Sequence, residues 1–522
     1  MALRVDWRSS ASQTGTVLKW LSVPLAAPLL LALFDGRAVV PFAVAIAVTL
    51  ALGIGMERLS PVRNLGHREA FLVVASAWLG VALVGAIPFV LVGQSAPPES
   101  AFAGVPIAVG GGVSLTGEFG GAVNALFESM SGLTTTGATI MSGWDFEHQS
   151  RAILLWRQLL QWLGGLGILI VAIGLFSNLR VGGAQLMETE TQTQSVNKLT
   201  PEIEQTARII WGLYVGLTLV TIAVLYGLNV VGLAPEMTLF NAVAHALTSV
   251  STAGFSPEAE SIAAFAPIVQ WVLIPVMLLG ATNFILLWYV VQGDRDRLLR
   301  SEEFRFYLGV VAFASSIVIG VLVVDPGHIQ SVEASIRHGL FNVVSMITTT
   351  GYASFDYTTW GPGAQHVLFL SMFVGGMAGS TTCSIKTLRW LVILKGLYRN
   401  LFLAIHPTAV RPIRLGDSVV DEETIGDIFS YVMLALLIFF ALTVLIVTDA
   451  SLAGRAVSEF DALGAAASIA LNIGPAFGEA GPMDNYAVFP TSTRFVMVLM
   501  MWIGRIEFVP VLILLLPAFW KS

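Results

Sequence analysis

Apolar runs of roughly 20 residues, the length a helix needs to cross a hydrocarbon core ~30 Å thick, fall at residues 17–34, 38–55, 70–93, 151–176, 208–231, 266–291, 304–324, 366–394, 425–447 and 494–520. Lipid gives the backbone no hydrogen-bonding partner, so runs of this kind must become helices. They are too many and too far along the chain for a cleaved signal. Charge is scarce to match, at 12% of 522 residues against 55% hydrophobic, where soluble domains carry about 25% charged residues. The expected fold is an all-α polytopic membrane protein of about ten spans.

Between these runs a short polar segment ending in glycine recurs. It reads Thr134-Thr135-Thr136-Gly137, then Ser251-Thr252-Ala253-Gly254, Thr348-Thr349-Thr350-Gly351 and Leu471-Asn472-Ile473-Gly474. Thirteen positions before each glycine stand Asn124, Asn241, His338 and Asp461, which are read as opening half-helices about three turns long, the asparagines and the aspartate being good N-cap residues. Each is too short to span. The expected unit is helix, re-entrant half-helix, filter segment, helix, four times around one pore. The boundaries are 1–56 for an extra N-terminal helix pair, then 57–180, 181–293, 294–395 and 396–522 for the repeats.

Arg58, Arg63 and Arg68 share one loop, Arg180 and Lys198 a second, Arg295, Arg297 and Arg300 a third, and Lys395, Arg399, Arg411 and Arg414 a fourth. Loops 94–121, 255–265, 352–365 and 475–493 carry carboxylates and no lysine or arginine. The positive-inside rule puts both termini in the cytoplasm and the glycine-ended segments on the outer side. Segments 177–206 and 395–424 are long enough to serve as docking surface. A net charge of −7 without a basic stripe argues against a nucleic-acid partner, and Cys383, the single cysteine, excludes an intrachain disulfide.

A cation leaving water needs oxygens in place of its hydration shell, and rings of backbone carbonyls supply them. Glycine permits the backbone angles that aim carbonyls inward. Threonine and serine add oxygens without a fixed charge, and the C-terminal ends of four half-helices favour a cation. A small-residue helix contact would also use such residues, but it does not explain four copies at one place in four units. The fourth copy, with Leu471, Asn472 and Ile473, relies on its backbone. Glu128 and His245, in the first two half-helices, read as buried hydrogen-bonding groups behind the filter.

The run Gly375-Gly376-Met377-Ala378-Gly379-Ser380-Thr381-Thr382-Cys383-Ser384 should break its span midway. Two readings stand: a loop beneath the filter that obstructs the pore until moved, or a tight helix crossing. Arg505 lies in an otherwise apolar run, where an arginine is costly and marks a functional site. It is either an electrostatic barrier under the filter or half of a structural ion pair. Glu507, two residues on, does not share its helix face.

These residues together resemble the Trk/Ktr/HKT superfamily of potassium transporters, and within it the Trk-type membrane subunits. The resemblance rests on T-T-T-G-A-T at 134–139, W-R-Q-L-L-Q-W-L-G-G-L-G at 156–167, S-T-A-G-F-S at 251–256 and T-T-T-G-Y at 348–352. It continues through H-P-T-A-V at 406–410, N-I-G-P at 472–475, G-R-I-E at 504–507 and P-A-F-W at 517–520. It implies potassium uptake across the inner or plasma membrane of a bacterium and a homodimer with one pore per protomer. It also implies a cytoplasmic nucleotide-binding regulatory partner, a gate at 375–384 and an arginine, Arg505, near that gate. On this resemblance K+ is the expected transported ion, with no organic cofactor and no enzymatic activity expected in this chain. Two departures stand out: Thr382, Cys383 and Ser384 occupy places where the family usually has glycine, and Ala476 with Phe477 follows the fourth filter.

A secondary transporter of an organic solute would need inverted repeats and a midplane site, whereas all four segments here enter from one side. A non-conducting scaffold is the remaining class.

Overall fold

Residues 5–60, 66–94, 99–103, 118–171, 203–325, 329, 331–416 and 418–521 are described by the computed structural model. Among them the only sheet is a two-residue hairpin, Arg414–Leu415 with Ser418–Val419; the rest is helix and connecting segment. Seven of the described helices are long and apolar enough to span a membrane: Trp7–Asp35, Val39–Glu57, Arg68–Gly93, Arg151–Leu169, Gln205–Val230, Glu302–Val324 and Glu422–Leu452. The chain is a multi-pass membrane protein.

Two further expected spans are sharply bent. Pro267–Gly280 meets Phe284–Val291 at 106°, and Thr491–Arg505 meets Val509–Leu515 at 117°. Hydropathy is blind to such bends because both arms are apolar; single residues make them. The Asn283 side-chain oxygen accepts from the N–H groups of Ile285 and Leu286 at 2.8 and 3.2 Å, capping the second arm. At the other bend Glu507 and Phe508 both take positive φ, 65° and 52°, which ends the helix at Arg505. The remaining run, 366–394, is interrupted: Pro362–Ser371 and Thr387–Ile405 are helices and 372–386 is not.

The chain divides into two compact units. The first comprises Met1–Gly164, Phe255–Ala264 and Thr443–Ser522. Its N-terminal helices approach at Gly15 and Gly53, where a Cβ on either would lie 2.8 Å from the other's carbonyl oxygen. Small residues at that crossing let two backbones meet, which is how helices associate where lipid supplies no hydrophobic drive. This unit holds half-helix 1, Glu118–Leu133, and half-helix 4, Glu459–Leu471. The second unit, Gly165–Gly254 with Phe265–Leu442, holds half-helix 2, Leu239–Val250, half-helix 3, Val332–Ile347, and the interrupted run.

The half-helices begin earlier than expected. Thr238, Ser331 and Ser458 are the caps, their hydroxyls accepting from the N–H groups of Asn241, Ala334 and Asp461 at 3.3, 3.1 and 3.1 Å. Asn124, Asn241, His338 and Asp461 therefore lie inside the helices. A hydroxyl residue upstream can take the cap, and doing so satisfies one more orphan N–H and adds helix. The docking segment expected at 177–206 lies largely outside the described residues.

Asn283→Ala removes the cap at the 106° bend and should cost about 1 kcal/mol, read as a lower thermal unfolding midpoint in detergent; an unchanged midpoint would show that the bend does not depend on it.

Candidate functional site

Every half-helix runs directly into its glycine-ended segment, and all four segments share one backbone. The residue two before the glycine has positive φ in each: Thr135 at 53°, Thr252 at 49°, Thr349 at 50° and Asn472 at 55°. The glycines follow at 78°, 81°, 76° and 115° for Gly137, Gly254, Gly351 and Gly474. Positive φ is a real outlier for a β-branched residue, with a cost on the order of 1–3 kcal/mol that persists only where the surroundings over-determine it. Threonine accepts that strain three times here.

The surroundings that hold it are hydrogen bonds back into the half-helix. The N–H groups of Thr134, Thr135, Thr136 and Gly137 donate to the carbonyls of Met130, Gly132, Ser131 and again Ser131, at 2.8 to 3.5 Å. Thr348, Thr349, Thr350 and Gly351 donate in the same pattern to Val344, Met346, Ser345 and Ser345. Ser251, Thr252 and Ala253 donate to Leu247, Ser249 and Thr248, and Ile473 to Ser468. No described peptide is cis, and in a trans peptide C=O points opposite to N–H. In segment 1 the carbonyls of Leu133, Thr134, Thr135 and Thr136 therefore leave on the face turned away from the half-helix. The same reasoning applies to Ile347, Thr348, Thr349 and Thr350 in segment 3, to Val250, Ser251 and Thr252 in segment 2, and to Leu471, Asn472 and Ile473 in segment 4.

A residue type that hydropathy and the glycine pattern do not reveal locks this arrangement. Six positions before the glycine stand Ser131, Thr248, Ser345 and Ser468. Ser131 Oγ donates to the Ala138 carbonyl at 2.5 Å, Ser345 Oγ to Tyr352 at 2.6 Å and Ser468 Oγ to Gly474 at 2.6 Å. Thr248 instead bonds the Tyr352 hydroxyl. Aligning the four copies would have exposed the column, since only Ser or Thr occupies it.

Within each unit two segments touch. In the second, a Cβ on Gly254 would lie 1.9 Å from the Thr350 carbonyl oxygen. In the first, a Cβ on Gly474 would lie 2.7 Å from the Thr136 carbonyl oxygen, and Asn472 Nδ2 donates to Thr136 Oγ1 at 2.7 Å. Thr134, Thr135, Thr136, Ser251, Thr252, Ala253, Thr348, Thr349, Thr350, Leu471, Asn472 and Ile473 are all buried. Among the described residues no group of three His, Cys, Asp or Glu could hold a metal ion, so the oxygens these segments offer a cation are carbonyls and hydroxyls.

The run at 375–384 is a bonded plug inside the second unit. Thr381 Oγ1 lies 2.9 Å from Thr252 Oγ1 and donates to the Gly280 carbonyl at 3.0 Å, while the Cys383 N–H donates to Thr349 Oγ1 at 3.0 Å. It thus touches segments 2 and 3 at their positive-φ residues. Its near end is pinned by the Met377 N–H on the Ala281 carbonyl at 2.9 Å and by the Gly379 carbonyl, which accepts from Phe284 at 3.1 Å. The Ala378 N–H donates to buried Glu303 at 2.7 Å. Ser380 Oγ reaches Thr382 Oγ1 at 2.8 Å, and Lys386 Nζ bonds the Thr382 carbonyl. Gly375 and Gly376 lie against the carbonyls of Cys383 and Ala281, at 2.3 and 2.7 Å from a built Cβ, so neither admits a side chain. Gly379 takes φ 75° and Ser384 φ 61°; Ser384 Oγ holds that turn by donating to the Met372 carbonyl at 2.7 Å.

Arg505 is buried at the end of its helix, with Nη2 donating to the Gly164 carbonyl at 2.9 Å. Gly164 in turn allows the Leu133 carbonyl to approach, since a Cβ there would lie 1.8 Å from that oxygen. Arg505 is thus one residue removed from segment 1 within the first unit.

Arg157 is the main residue missed from sequence. Its Nε lies 2.7 Å from Glu128 Oε1, its Nη1 donates to the Ser256 carbonyl at 3.0 Å, and its guanidinium sits 4.0 Å from the Phe255 ring centroid. Glu128 also accepts from the Thr139 hydroxyl at 3.0 Å and the Ile140 N–H at 3.1 Å. One turn on, Gln161 accepts from the Phe255 N–H at 2.9 Å. A buried ion pair therefore anchors the residues that follow both Gly137 and Gly254, and Glu128 is a hydrogen-bonding group behind the segment. His245 is buried too, its Nδ1 2.7 Å from the Asn241 carbonyl.

A multi-pass chain whose described residues are almost all helix and connecting segment, and which repeats a half-helix and a carbonyl-presenting turn four times, is a membrane transport protein, not an enzyme. The chain belongs to the TrkH family of cation transport proteins, whose model matches residues 42–522. It is similar to the Trk system potassium uptake protein TrkH of Halomonas elongata, 31% identical over 97% of this chain and 98% of that one. It is also similar to TrkI of the same organism, 33% identical over 96% and 94%, and to TrkH of Escherichia coli K12, 31% identical over 95% and 98%. The crystal structure of the potassium transporter TrkH from Vibrio parahaemolyticus superposes with a TM-score of 0.82 at 27% identity, covering 99% of this chain and 100% of that one.

Breaking the Glu128–Arg157 pair should be more harmful than removing it. Arg157→Met alone strands a buried carboxylate and should cost about 3–5 kcal/mol, while Arg157→Met with Glu128→Met should recover much of that. Unfolding midpoints in detergent check this, and equal loss in both variants would contradict it.

Proposed function

We propose that this chain takes up potassium through a channel-like pore whose single-glycine selectivity filter is formed by residues 134–137, 251–254, 348–351 and 471–474. The observation that carries the reading is the common backbone of the four segments, with left-handed residues at alternate positions and N–H groups turned back into the half-helix. Such a turn leaves carbonyl oxygens for a dehydrated cation, and the half-helix C-terminus adds negative potential behind them. The chemistry suits a monovalent cation, and the relatives' names supply potassium. The contacts of segment 2 with 3 and of segment 4 with 1 are the neighbour relations of a ring taken in chain order. In this reading the four repeats run over 57–180, 181–293, 294–395 and 396–522.

The loop carrying Gly375, Gly376, Gly379, Ser380, Thr381, Thr382 and Ser384 is the gate, because it bonds Thr252 and Thr349 directly. Opening exchanges those bonds for water. Arg505, one residue removed from segment 1, sets an electrostatic barrier to cations. Both termini are cytoplasmic by the charge pattern of the loops. The protein works as a homodimer in the inner membrane, controlled by a cytoplasmic nucleotide-binding subunit of the Trk type. The end of the helix Thr387–Ile405 and the residues just after it suit that docking: Tyr398, Leu401, Ile405 and Val410 are exposed, and the Arg411 guanidinium lies over the Tyr398 and Phe402 rings at 4.7 and 4.6 Å.

One glycine per repeat gives fewer stacked carbonyl rings than a filter of the T-V-G-Y-G type, so rubidium should enter proteoliposomes faster than sodium but not to its exclusion; equal chloride passage, or no cation passage, would end the reading. Gly254→Ser should lower rubidium influx to that of empty liposomes, since the new side chain meets the Thr350 backbone; wild-type influx would mean the segment is a scaffold. Arg505→Ala should raise basal flux, and unchanged flux with unchanged stability would remove its gating role.

A further inference from the structure

The four segments differ at one residue in a way that the common backbone makes legible. At the left-handed position two before the glycine, three repeats carry threonine and the fourth carries Asn472. Asparagine tolerates that conformation, but tolerance does not account for where its side chain goes. Asn472 is fully buried, and its Nδ2 makes two bonds, to the Met501 carbonyl at 3.0 Å and to Thr136 Oγ1 at 2.7 Å. A carbonyl only accepts, so the atom facing Met501 must be the amide nitrogen, and the same nitrogen presents its second hydrogen to Thr136. The carboxamide oxygen rests against Gly504, 2.5 Å from a Cβ built there, and has no hydrogen-bond partner among the described residues. The carboxamide is therefore oriented by its nitrogen, which joins Met501 to Thr136.

The proton directions downstream are then determined. Thr134 Oγ1 donates to the Met130 carbonyl at 2.7 Å, which uses its one hydrogen. Thr136 Oγ1, 2.7 Å from Thr134 Oγ1, must donate to it. With its proton so committed and one lone pair occupied by Asn472, the Thr136 hydroxyl is fixed between Thr134 and Asn472. The second unit has the same hydroxyl pair, Thr348 with Thr350 at 2.7 Å, but the residue at Asn472's place in its neighbour is Thr252, whose hydroxyl turns to the Ser251 carbonyl and to Thr381.

We propose that Asn472 is a specificity-determining positioning residue: it ties segment 4 to segment 1, fixes the Thr136 hydroxyl, and so holds the spacing of the carbonyls on this side at a size that favours the larger cation. The inference rests on the filter reading above. Without the brace, segment 1 and segment 4 move independently and their carbonyls can close on a smaller ion.

A double-mutant cycle tests it, with sodium and rubidium uptake into proteoliposomes as the readout and unfolding midpoints as the control. Asn472→Gly keeps the left-handed backbone and removes the donor, and Thr136→Val keeps the shape and removes the acceptor. Each should raise the sodium-to-rubidium uptake ratio by about threefold or more, and the double variant should go no further than the larger single effect, as for contacting residues that act through one bond. Multiplying effects in the double variant, or an unchanged ratio in folded Thr136→Val, would overturn the brace while leaving the filter standing. Should Asn472→Gly fail to fold, the Thr136→Val ratio decides alone. If the unaltered protein passes no rubidium, the filter reading fails and the brace with it.

Discussion

The constraint on which the rest depends is the disposal of backbone N–H groups just past the end of each half-helix. A helix terminus normally leaves carbonyls without partners; here the following residues turn back and donate into that last turn, Thr136 and Gly137 to Ser131, Thr350 and Gly351 to Ser345, Ile473 to Ser468. The chain can make that reversal only with left-handed residues at alternate positions, which is why a glycine stands at the end of each segment and a strained threonine or an asparagine two before it. Peptide planarity then sends the carbonyls to the opposite face. The donors are spent and the acceptors are presented. A surface of oxygen acceptors follows from that division without any carboxylate.

Strain of this kind needs a rigid frame, and the frame is buried polar chemistry. The serine and threonine column at 131, 248, 345 and 468 fastens each turn or its neighbour, while Arg157 and Glu128 anchor the stretches after Gly137 and Gly254. The plug at 375–384 is held in the same manner, by Glu303, Asn283 and the carbonyls at the 106° bend. Helix breaks in apolar spans are tolerated where neighbouring groups re-satisfy the freed backbone, and the 281–283 break and the 372–386 interruption satisfy each other. Two irregularities that would each be costly alone form one stable junction beside segments 2 and 3.

Much of this was legible in the sequence, and the remainder was hidden for identifiable reasons. The apolar runs, the four glycines and the interruption near Gly375 follow from composition and spacing, because lipid penalises any other reading. The half-helix starts did not, since Asn241 and Asp461 are good caps in isolation but Thr238 and Ser458 stand three residues earlier and win. The bends at 281–283 and 506–508 left no trace in hydropathy. Arg157 sat within an apolar helix with its partner Glu128 nearly thirty residues away, and no local spacing rule connects them. The use of the hydroxyls was hidden as well: those of Thr134 and Thr136 are bonded to the half-helix, to each other and to Asn472, so Thr136 contributes to segment 1 chiefly through its backbone.

The account stands on one claim, that the carbonyls freed by the four turns converge on a dehydrated monovalent cation. Anomalous diffraction from crystals grown in rubidium or thallium would test it most directly. The account predicts ion density coordinated by the carbonyl oxygens of residues 134–136, 251–253, 348–350 and 471–473. Ion density elsewhere in the protein with none at these carbonyls would contradict it.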